Sequence, residues 1–407
     1  MKWEKVKLGD IATCIQPGPF GSQLHNSDYS KEGTPIIMPK DIVGGAIVHS
    51  GLLKVSEEHV KRLSRHQVYE GNLMVARKGD VRKCAYITAN ENGWMTGSDC
   101  LKVVLDESKC YPKFIYYQLR SEHIGRWLEK VSIGATMPSL NTGLLNGIEM
   151  VLPPIEIQKQ IAGILSVYDD LIENNQKQIK LLEEAARRLY KEWFVDLHFP
   201  GHENTKIVDG VPEGWRVASI ADICDTVGGG TPSTKIQSYY ERGDILWVTP
   251  TDITRNFSLA LLDTEKKITP EGLKNSSAKM LPAETILMTS RASVWFFGMC
   301  KYEVCTNQGF ISCIPKRENL QMYLLFNLKS RVEEIRQKAG GSTYLEISKT
   351  VFRELKIILP KDEVLAEYQK NVHDIFDEIY CRTEMIKSLV DMRNRLLPKL
   401  MSGEVEV

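Results

Sequence analysis

The clearest pattern in the chain is an apolar seam through residues 157–194, a stretch that contains no proline. Its apolar residues alternate at spacings of four and three, the heptad pattern of a coiled-coil helix. The two columns of the seam are Ile161, Tyr168, Asn175, Leu182 and Leu189, and Leu165, Ile172, Ile179, Ala186 and Trp193. Roughly 38 residues at about 1.5 Å each predict a rod of about 57 Å. Phe199, Pro200 and Gly201 mark its end.

A second seam of the same period follows at an offset of 207 residues. Its positions are Tyr368, Val372, Ile375, Ile379, Arg382, Ile386, Leu389, Arg393, Leu396 and Leu400. A single helix of this kind would expose an apolar stripe to water, so the two helices are predicted to pack on each other as an antiparallel coiled coil. The alternative is that each seam packs on its own globular domain.

Polar residues interrupt both seams near the middle of the helix. Asn175 interrupts the first seam, and Arg382 stands 207 residues later in the second. A buried polar residue at one seam position sets the register of a coiled coil at a cost in stability. We therefore hypothesise that Asn175 and Arg382 meet in the antiparallel pair and fix its register.

Five short phrases recur in the same order along the two halves of the chain. The matched segments are 3–11 with 215–223, 39–42 with 250–253, 73–77 with 287–291, 134–136 with 341–343, and 148–153 with 355–360, at offsets from 207 to 214. One such match is weak, but five in the same order indicate an internal repeat. Each half of the chain therefore contains one globular domain followed by one long helix.

Each globular half combines short apolar runs that suit buried strands with one shorter helix. Residues 36–38, 73–75 and 101–105 predict strands, and residues 112–130 predict a helix whose counterpart is 321–338. The predicted fold class is α+β, with two mixed α/β domains separated by the coiled coil and related by an internal pseudo-two-fold repeat. The predicted boundaries are 1–154 for the first domain, 155–198 for the first long helix, 199–212 for a linker, 213–361 for the second domain and 362–401 for the second long helix.

The composition, 407 residues with 43% apolar and 26% charged, is that of a globular protein of two ordinary domains. The net charge is zero, which argues against a generally basic nucleic-acid coat, although basic groups can still gather on one face. No apolar stretch approaches a membrane span and no secretion signal opens the chain, so we expect a cytoplasmic protein without a membrane partner. The nine cysteines lack C-x-x-C spacing, and we predict free thiols and no metal site.

Polar and basic side chains gather in glycine-punctuated loops of both halves. Arg, Asn and Gln can make bidentate contacts with guanine or adenine edges, whereas Lys, Ser and Thr more often hold phosphates. The candidate DNA-contacting residues of the first half are Phe20, Ser22, Gln23, Lys40, Arg77, Lys78, Arg82 and Lys83. Those of the second half are Thr231, Ser233, Thr234, Lys235, Thr251, Arg255, Ser290, Arg291, Asn307 and Gln308. Ordinary turn chemistry or a solvated basic face explains each loop alone; their recurrence at equivalent places favours DNA binding.

Two similar domains on a rigid spacer have a geometry that suits a split DNA site. Half-sites one helical turn apart are separated by ~34 Å, which a rod of about 57 Å can span. Because the two domains are similar but not identical, they would recognise a bipartite, asymmetric sequence.

Several phrases resemble the specificity (S) subunits of Type I restriction–modification enzymes, over essentially the whole chain. They are Arg188 to Asp196 (RLYKEWFVD), Leu396 to Glu404 (LLPKLMSGE), Gly229 to Thr234 (GGTPST), Thr249 to Ile253 (TPTDI), and Leu152-Pro153-Pro154 with Gln158 and Ile161. The resemblance implies two target recognition domains, a coiled-coil spacer and a DNA-specificity subunit without catalytic activity. It implies double-stranded DNA, two methyltransferase subunits and restriction–translocase subunits as partners. Those partners are expected to bind S-adenosylmethionine, ATP and Mg²⁺, while this chain carries no cofactor.

The chain lacks the phrases that its expected partners need for catalysis. An amino-methyltransferase carries Asn or Asp, two prolines and an aromatic residue, whereas this chain has Leu152-Pro153-Pro154-Ile155. It contains no P-loop and no nuclease-like group of carboxylates, so no catalytic residue is predicted. Two alternatives stay open: a coiled-coil adaptor that does not bind DNA, and, less favoured, a fragment of a fused restriction–methylation enzyme.

Overall fold

The computed structural model of the chain describes residues 3–132, 134, 138–291, 295–340, 346–405 and 407. It divides into two compact units, Met1–Asp170 with Leu389–Val407, and Leu171–Ser388. Each unit combines one globular domain with parts of both long helices. Ala135, Thr136 and the segment 341–343, which carry one of the five repeat matches, lie outside the described residues.

Both domains contain a four-stranded antiparallel sheet with the same strand order. In the first domain the order is Ala12–Pro17, Cys100–Leu105, Leu73–Ala76 and Cys84–Tyr86. In the second domain it is Cys224–Val227, Phe310–Pro315, Ile286–Thr289 and Phe297–Gly298. The third strand of each sheet is buried at every position, which explains why its sequence lacks the polar alternation of a half-exposed strand.

A smaller sheet in each domain contains a parallel strand pair. In the first domain Met95–Thr96 pairs with Thr34–Ile37, and the sheet continues with Leu53–Val55 and Tyr29–Ser30. In the second domain Cys305–Thr306 pairs with Ile245–Val248, whose other neighbour is Lys267–Ile268. The two domains differ in the segment that directly follows the central strand of this sheet. The first domain forms the hairpin of Ile42–Val43 with Ala46–Ile47, where the second forms the helix Pro250–Arg255.

Each domain is closed by a strand pair that leads into a long helix. Glu4–Lys7 pairs with Glu149–Leu152, and Arg216–Ser219 pairs with Lys356–Leu359, both antiparallel. The first long helix is Ile155–Tyr190, extended by the π-helical turn Lys191–Val195. The second long helix is Asp362–Ser402. Among the described residues, no helix is both long and apolar enough to cross a membrane.

The helix predicted over 112–130 is wrong in one respect, because it consists of two helices. These are Pro112–Leu119 and Glu122–Val131, and the counterpart is likewise divided into Gln321–Ser330 and Val332–Gln337. In the first domain the Ile124 N–H donates to the Ser121 hydroxyl, which caps a new helix. Besides Pro250–Arg255, the shorter α-helices of the described residues are Leu8–Ile11, Glu57–Arg62, Thr142–Asn146, Ile220–Ile223, Pro270–Lys274 and Lys349–Arg353. A hairpin joins Ile207–Val208 to Val211–Pro212.

The two long helices form an antiparallel pair, as predicted. Every predicted seam position is buried or half-buried. Within the unit Leu171–Ser388, Asn175 contacts Arg382, and the Trp193 ring lies 5.7 Å from the Tyr368 ring. Residue numbers therefore rise along one helix as they fall along the other. Leu397 and Leu400 also belong to the core of the first domain. Packing of the helices on their domains therefore accompanies their pairing.

The Asn175–Arg382 contact is the polar interruption of the seam. Asn175 is 3% exposed, its Oδ1 accepts from Arg382 Nη1 at 3.3 Å, and its Nδ2 donates to the Leu171 carbonyl at 2.8 Å. We expect Asn175→Ala and Arg382→Ala to show a coupling energy of about 0.5–3 kcal/mol in a double-mutant cycle of chemical unfolding, because they share one buried contact.

The exposed neighbour Asn174 provides a matched control for this cycle. Asn174→Ala and Arg382→Ala are expected to add, because Asn174 lies outside the seam. Additive effects of the Asn175 and Arg382 changes would contradict a register role, which stays a prediction until this measurement is made.

Candidate nucleic-acid interface

In the second domain, candidate segments that are far apart in sequence meet around residues 306–309. Gly230 N–H donates to Thr306 O at 2.9 Å, Asn307 N–H donates to Val248 O at 3.0 Å, and Ser290 N–H donates to Gly309 O at 2.8 Å. These hydrogen bonds gather the glycine-rich loop, the start of the helix Pro250–Arg255 and the segment that contains Arg291. We call residues 306–309 the junction segment of the second domain.

The first domain repeats this arrangement around residues 97–100, its own junction segment. Gly18 N–H donates to Cys100 O at 3.0 Å, Gly97 N–H donates to Ile37 O at 2.9 Å, and Arg77 N–H donates to Asp99 O at 2.7 Å. Two of the three connections are equivalent in the two domains, those of Gly97 with Asn307 and of Asp99 with Gly309. The glycine-rich loop is also bonded to the junction segment in both domains, but at different residues of that segment. They place the segments that carry Phe20 and Lys40 at positions equivalent to those of Thr231 and Thr251. Arg77 is equivalent to Ser290 in this backbone, and Arg291 lies one residue further along.

One glycine in each loop permits a close approach to the junction segment. A Cβ on Gly18 would lie 2.0 Å from Gly97 O, and a Cβ on Gly229 would lie 2.0 Å from Thr306 O. Any other residue would push the loop away from the junction segment. Because both loops start from the same point, the residues two positions later, Phe20 and Thr231, are structural counterparts.

Phe20 and Arg77 form the most open pair among the candidates of the first domain. The Phe20 ring is 53% exposed, and the Arg77 guanidinium lies over it, 5.5 Å from the ring centroid. Within the described part of the chain Arg77 and the exposed Lys40 make no ion pair, so their charges are available to a polyanion. Ser22 is exposed, whereas Gln23 is half-buried and its carbonyl accepts from Arg62 Nη2 at 2.8 Å.

The other basic candidates of the first domain have partners within the protein. Lys78 pairs with Asp99 at 3.0 Å, and Lys83 Nζ donates to the Pro39 carbonyl at 3.1 Å. Arg82 pairs with Glu122 and, at 3.5 Å, with Glu129. The hydrogen bond that Arg82 donates to Glu122 raises the pKa of Arg82. Arg82 and Lys83 therefore tie the basic turn to neighbouring segments.

In the second domain the candidates at the junction segment are mainly polar and neutral. Thr231 hydrogen-bonds to Gln308, and Asn307 Oδ1 accepts from Gly309 N–H at 2.8 Å. The side chains of Ser233, Thr234, Lys235 and Thr251 are exposed. Arg255 lies 3.5 Å from Glu265, and Arg291 lies 3.8 Å from Glu346. Both arginines are thus partly neutralised.

Ser290 does not fit the predicted contact role, because its side chain is 3% exposed.

Ser98 and Asp99 lie in the junction segment of the first domain, but they were not among the residues predicted from the sequence, because neither is an amide like Asn307 or Gln308. A signal was present: Met95-Thr96 matches Cys305-Thr306 at an offset of 210, and each pair forms the parallel strand just before the junction segment. The contact role of the other candidates stays a prediction.

One group of side chains in the second unit could hold a metal ion, which the sequence did not suggest. Donor atoms of Glu284, His373 and Asp377 lie within 4.8 Å of one another. His373 already lies between the two carboxylates, 3.1 Å from Glu284 and 3.4 Å from Asp377, and Asp377 also pairs with Lys301. The group is thus a polar network that joins the second long helix to the second domain.

The match to a known family follows the two halves of the chain. The model described as the Type I restriction modification DNA specificity domain matches twice, over residues 1–184 and 212–390. The chain belongs to this family. The predicted internal repeat is confirmed by the double match, and the chain is a DNA specificity protein of Type I restriction–modification.

Two relatives of this specificity family match along nearly their whole length. The chain is 25% identical over 422 residues to the Type I restriction enzyme MjaIX specificity subunit of Methanocaldococcus jannaschii, covering 100% of this chain and 94% of that protein. It is 21% identical to the HindI specificity subunit of Haemophilus influenzae, covering 99% of each. The S subunit of M. genitalium, at 16% identity, has a TM-score of 0.55 over 98% of this chain and 96% of its own, which shows a shared fold.

Proposed function

We propose that each domain of this chain binds one half of a bipartite, asymmetric duplex DNA site within a Type I restriction–modification complex. The observation that supports this most directly is the duplicated junction segment. Two equivalent backbone hydrogen bonds and a close approach of an equivalent glycine gather the loops of both domains, whereas the side chains at the loop tips differ. Loops held at similar places let the two domains dock on DNA in the same way, and the different side chains on those loops give the domains different base preferences.

In this proposal the chain carries out no chemistry of its own. Methyltransferase subunits, in two copies, and restriction–translocase subunits bind S-adenosylmethionine, ATP and Mg²⁺, and the complex works in the cytoplasm. The target adenine leaves the base stack to reach a partner's active site, since a stacked base is inaccessible. The Leu152-Pro153-Pro154-Ile155 phrase supports this division of labour, because it lacks both the amide or acid and the aromatic residue of a methyltransferase.

Exposed apolar side chains on the long helices suit protein partners. Ile164, Val167 and Met392 in one unit, and Leu181 and Met385 in the other, stay exposed although the seams beside them are buried. Apolar side chains on a helix that is already packed mark a surface for further association. In the proposal a methyltransferase subunit covers this surface in each unit.

Methylation mapping tests the proposal. Cells that express the partner subunits with and without this chain are expected to differ in methylation of one bipartite sequence. The isolated chain with labelled S-adenosylmethionine is expected to show no turnover, and turnover without a partner would favour the fused enzyme.

The adaptor alternative is tested by measuring the DNA affinity of the chain with its methyltransferase partner at increasing salt concentrations. Phosphate contacts give a steep slope, and no affinity at low salt would favour the adaptor.

Arg77→Ala is expected to weaken specific DNA binding by about tenfold to a hundredfold, because one good arginine–base contact contributes ~1–3 kcal/mol of discrimination. The matched control is Arg82→Ala in the same basic turn, whose guanidinium is held by Glu122. It is expected to change affinity less than about threefold, since an internally paired charge is less available to DNA. Equal losses for both variants, measured by titration of the target duplex, would contradict this ranking.

A further inference from the structure

Phe20 is an aromatic side chain that projects into solvent from the apex of the loop 17–23. Its ring is 53% exposed, although the preceding Pro19 is buried. Gly21 adopts a left-handed φ of +61°, and no atom lies near the position of a Cβ there, so the chain turns in open solvent. Burial of an apolar side chain of this size lowers the free energy by about 1.5–3 kcal/mol, and the exposed Phe20 does not gain this within the folded chain.

The loop that carries Phe20 is fixed at both ends. Gly18 is bonded to the junction segment, and the Gln23 carbonyl accepts from Arg62. Beneath the loop, Gln16 Nε2 donates to the Arg65 carbonyl. The buried Lys102 ammonium donates to the same carbonyl at 2.6 Å. Because the loop is already held in place, the Phe20 ring loses little conformational entropy when it inserts into a binding partner.

Arg77 adds a cation directly over this ring. Its guanidinium is 5.5 Å from the ring centroid, and it makes no ion pair among the described residues. An apolar wedge beside a free cation is the combination by which proteins separate base pairs, since the ring occupies the opened step while the cation meets phosphate or base. Apart from their contact with each other, the Phe20 ring stays half-exposed and the Arg77 guanidinium has no carboxylate partner among the described residues.

The counterpart of Phe20 in the second domain has a different chemistry. Thr231 occupies the equivalent place, and its hydroxyl is hydrogen-bonded to Gln308. This pair offers polar groups to base edges and has no surface on which a base can stack. The two loops start from equivalent glycines, but Phe20 is followed by the 3-10 turn Gly21–Gln23 and Thr231 is not.

We infer that Phe20 inserts into the base stack of the half-site bound by the first domain, and that the half-site of the second domain stays stacked at the equivalent step. The inference rests on the proposed function and adds to it an unequal deformation of the two half-sites. Stacking of a base on an aromatic side chain contributes ~1–3 kcal/mol and tolerates different bases. Phe20 therefore contributes to affinity and DNA shape, while Arg77 contributes to base choice.

The test uses the chain with its methyltransferase subunits and the duplex target found by methylation mapping. Single 2-aminopurines, which fluoresce when unstacked, are placed at each step of both half-sites. We expect a rise at one step beside the first domain, in addition to the signal of any flipped adenine. Phe20→Ala is expected to abolish that rise and to lower affinity about tenfold to a hundredfold. Phe20→Leu keeps an apolar wedge without an aromatic face, so it is expected to retain the rise and to lose less affinity than Phe20→Ala.

Tyr69→Ala is the matched control, because Tyr69 is an aromatic residue of the same domain that is also 53% exposed. It is expected to leave affinity and fluorescence unchanged. Unchanged fluorescence in Phe20→Ala, or equal losses in Phe20→Ala and Tyr69→Ala, would overturn the insertion while leaving the proposed function intact. A wild-type complex that binds no duplex would overturn both. Thermal unfolding of each variant shows whether it is folded.

Discussion

Replacement of residues 213–361 by the second domain of another specificity subunit is expected to change one half of the methylated sequence and to leave the other half intact. The replaced segment begins and ends at the strand pair Arg216–Ser219 with Lys356–Leu359, so it is closed by its own hydrogen bonds. It also contains all three hydrogen bonds of its junction segment. The loops that contact DNA are therefore transferred as one unit.

The expected loss of the original target is large. Each mismatched base pair in a specific site costs ~1–3 kcal/mol, so several mismatches in one half lower affinity by about a thousandfold or more. Methylation mapping of cells that carry the hybrid gives the new sequence, and the donor subunit in its own complex defines which half is expected. A hybrid that methylates a sequence changed in both halves, or in neither, would show that the domains do not recognise DNA independently.

The hybrid must keep the contacts by which the second domain joins the long helices. Tyr190 lies against Tyr323 and Phe326 of that domain, with ring centroids 6.0 and 6.4 Å away, and Asn327 Nδ2 donates to the Tyr190 hydroxyl at 2.9 Å. A donor domain with aromatic residues at these two positions is the appropriate choice. A hybrid that fails here would unfold at lower temperature than the parent, which separates a folding defect from a change in specificity.

The long helices were predictable from the sequence because a heptad seam is a local pattern. Every seam residue needs only its neighbours three and four positions away to reveal the buried face. One equivalence escaped this reasoning. Gln158 Oε1 accepts from Tyr111 N–H at 2.8 Å, and Gln369 Oε1 accepts from Met322 N–H at 2.9 Å, so the two glutamines have the same role. Their offset is 211, whereas the strands before the helices match at 207, so the second helix has about one more turn before its glutamine than the first helix has.

The junction segments could not be derived from local pattern, because they depend on pairing between distant strands. Met95–Thr96 lies beside Thr34–Ile37 only through the parallel pair. Residue type alone also ranked the candidates poorly. Arg77 and Arg82 are the same residue type in the same basic turn, yet only Arg82 pairs with Glu122. The hydrogen bond from Arg82 lowers the pKa of the Glu122 carboxyl. Whether a cation is free for DNA depends on a carboxylate 40 residues away, which spacing does not reveal.

Asp169→Ala is expected to lower the stability of the first unit by about 3–5 kcal/mol, because it removes one partner of a mostly buried ion pair. Asp169 pairs with Arg393 of the second long helix, whose side chain is 11% exposed, and accepts from the Tyr117 hydroxyl at 2.6 Å. Burial and the Asp169 carboxylate raise the pKa of Tyr117, so the phenol stays protonated and donates. The substitution leaves a buried cation and a buried hydroxyl without their acceptor.

Urea unfolding combined with hydrogen exchange of the helix Pro112–Leu119 measures this loss within the first unit. The exposed neighbour Asp170 serves as the matched control, and Asp170→Ala is expected to change stability by less than about 0.5 kcal/mol. Adding Arg393→Met to Asp169→Ala should recover part of the stability, because it removes the stranded charge. Asp169→Asn should fall between the parent and Asp169→Ala, since the amide oxygen still accepts from Tyr117 but no longer neutralises Arg393. If Asp169→Ala cost no more than Asp170→Ala, the carboxylate would not be what holds the two helices and the first domain together.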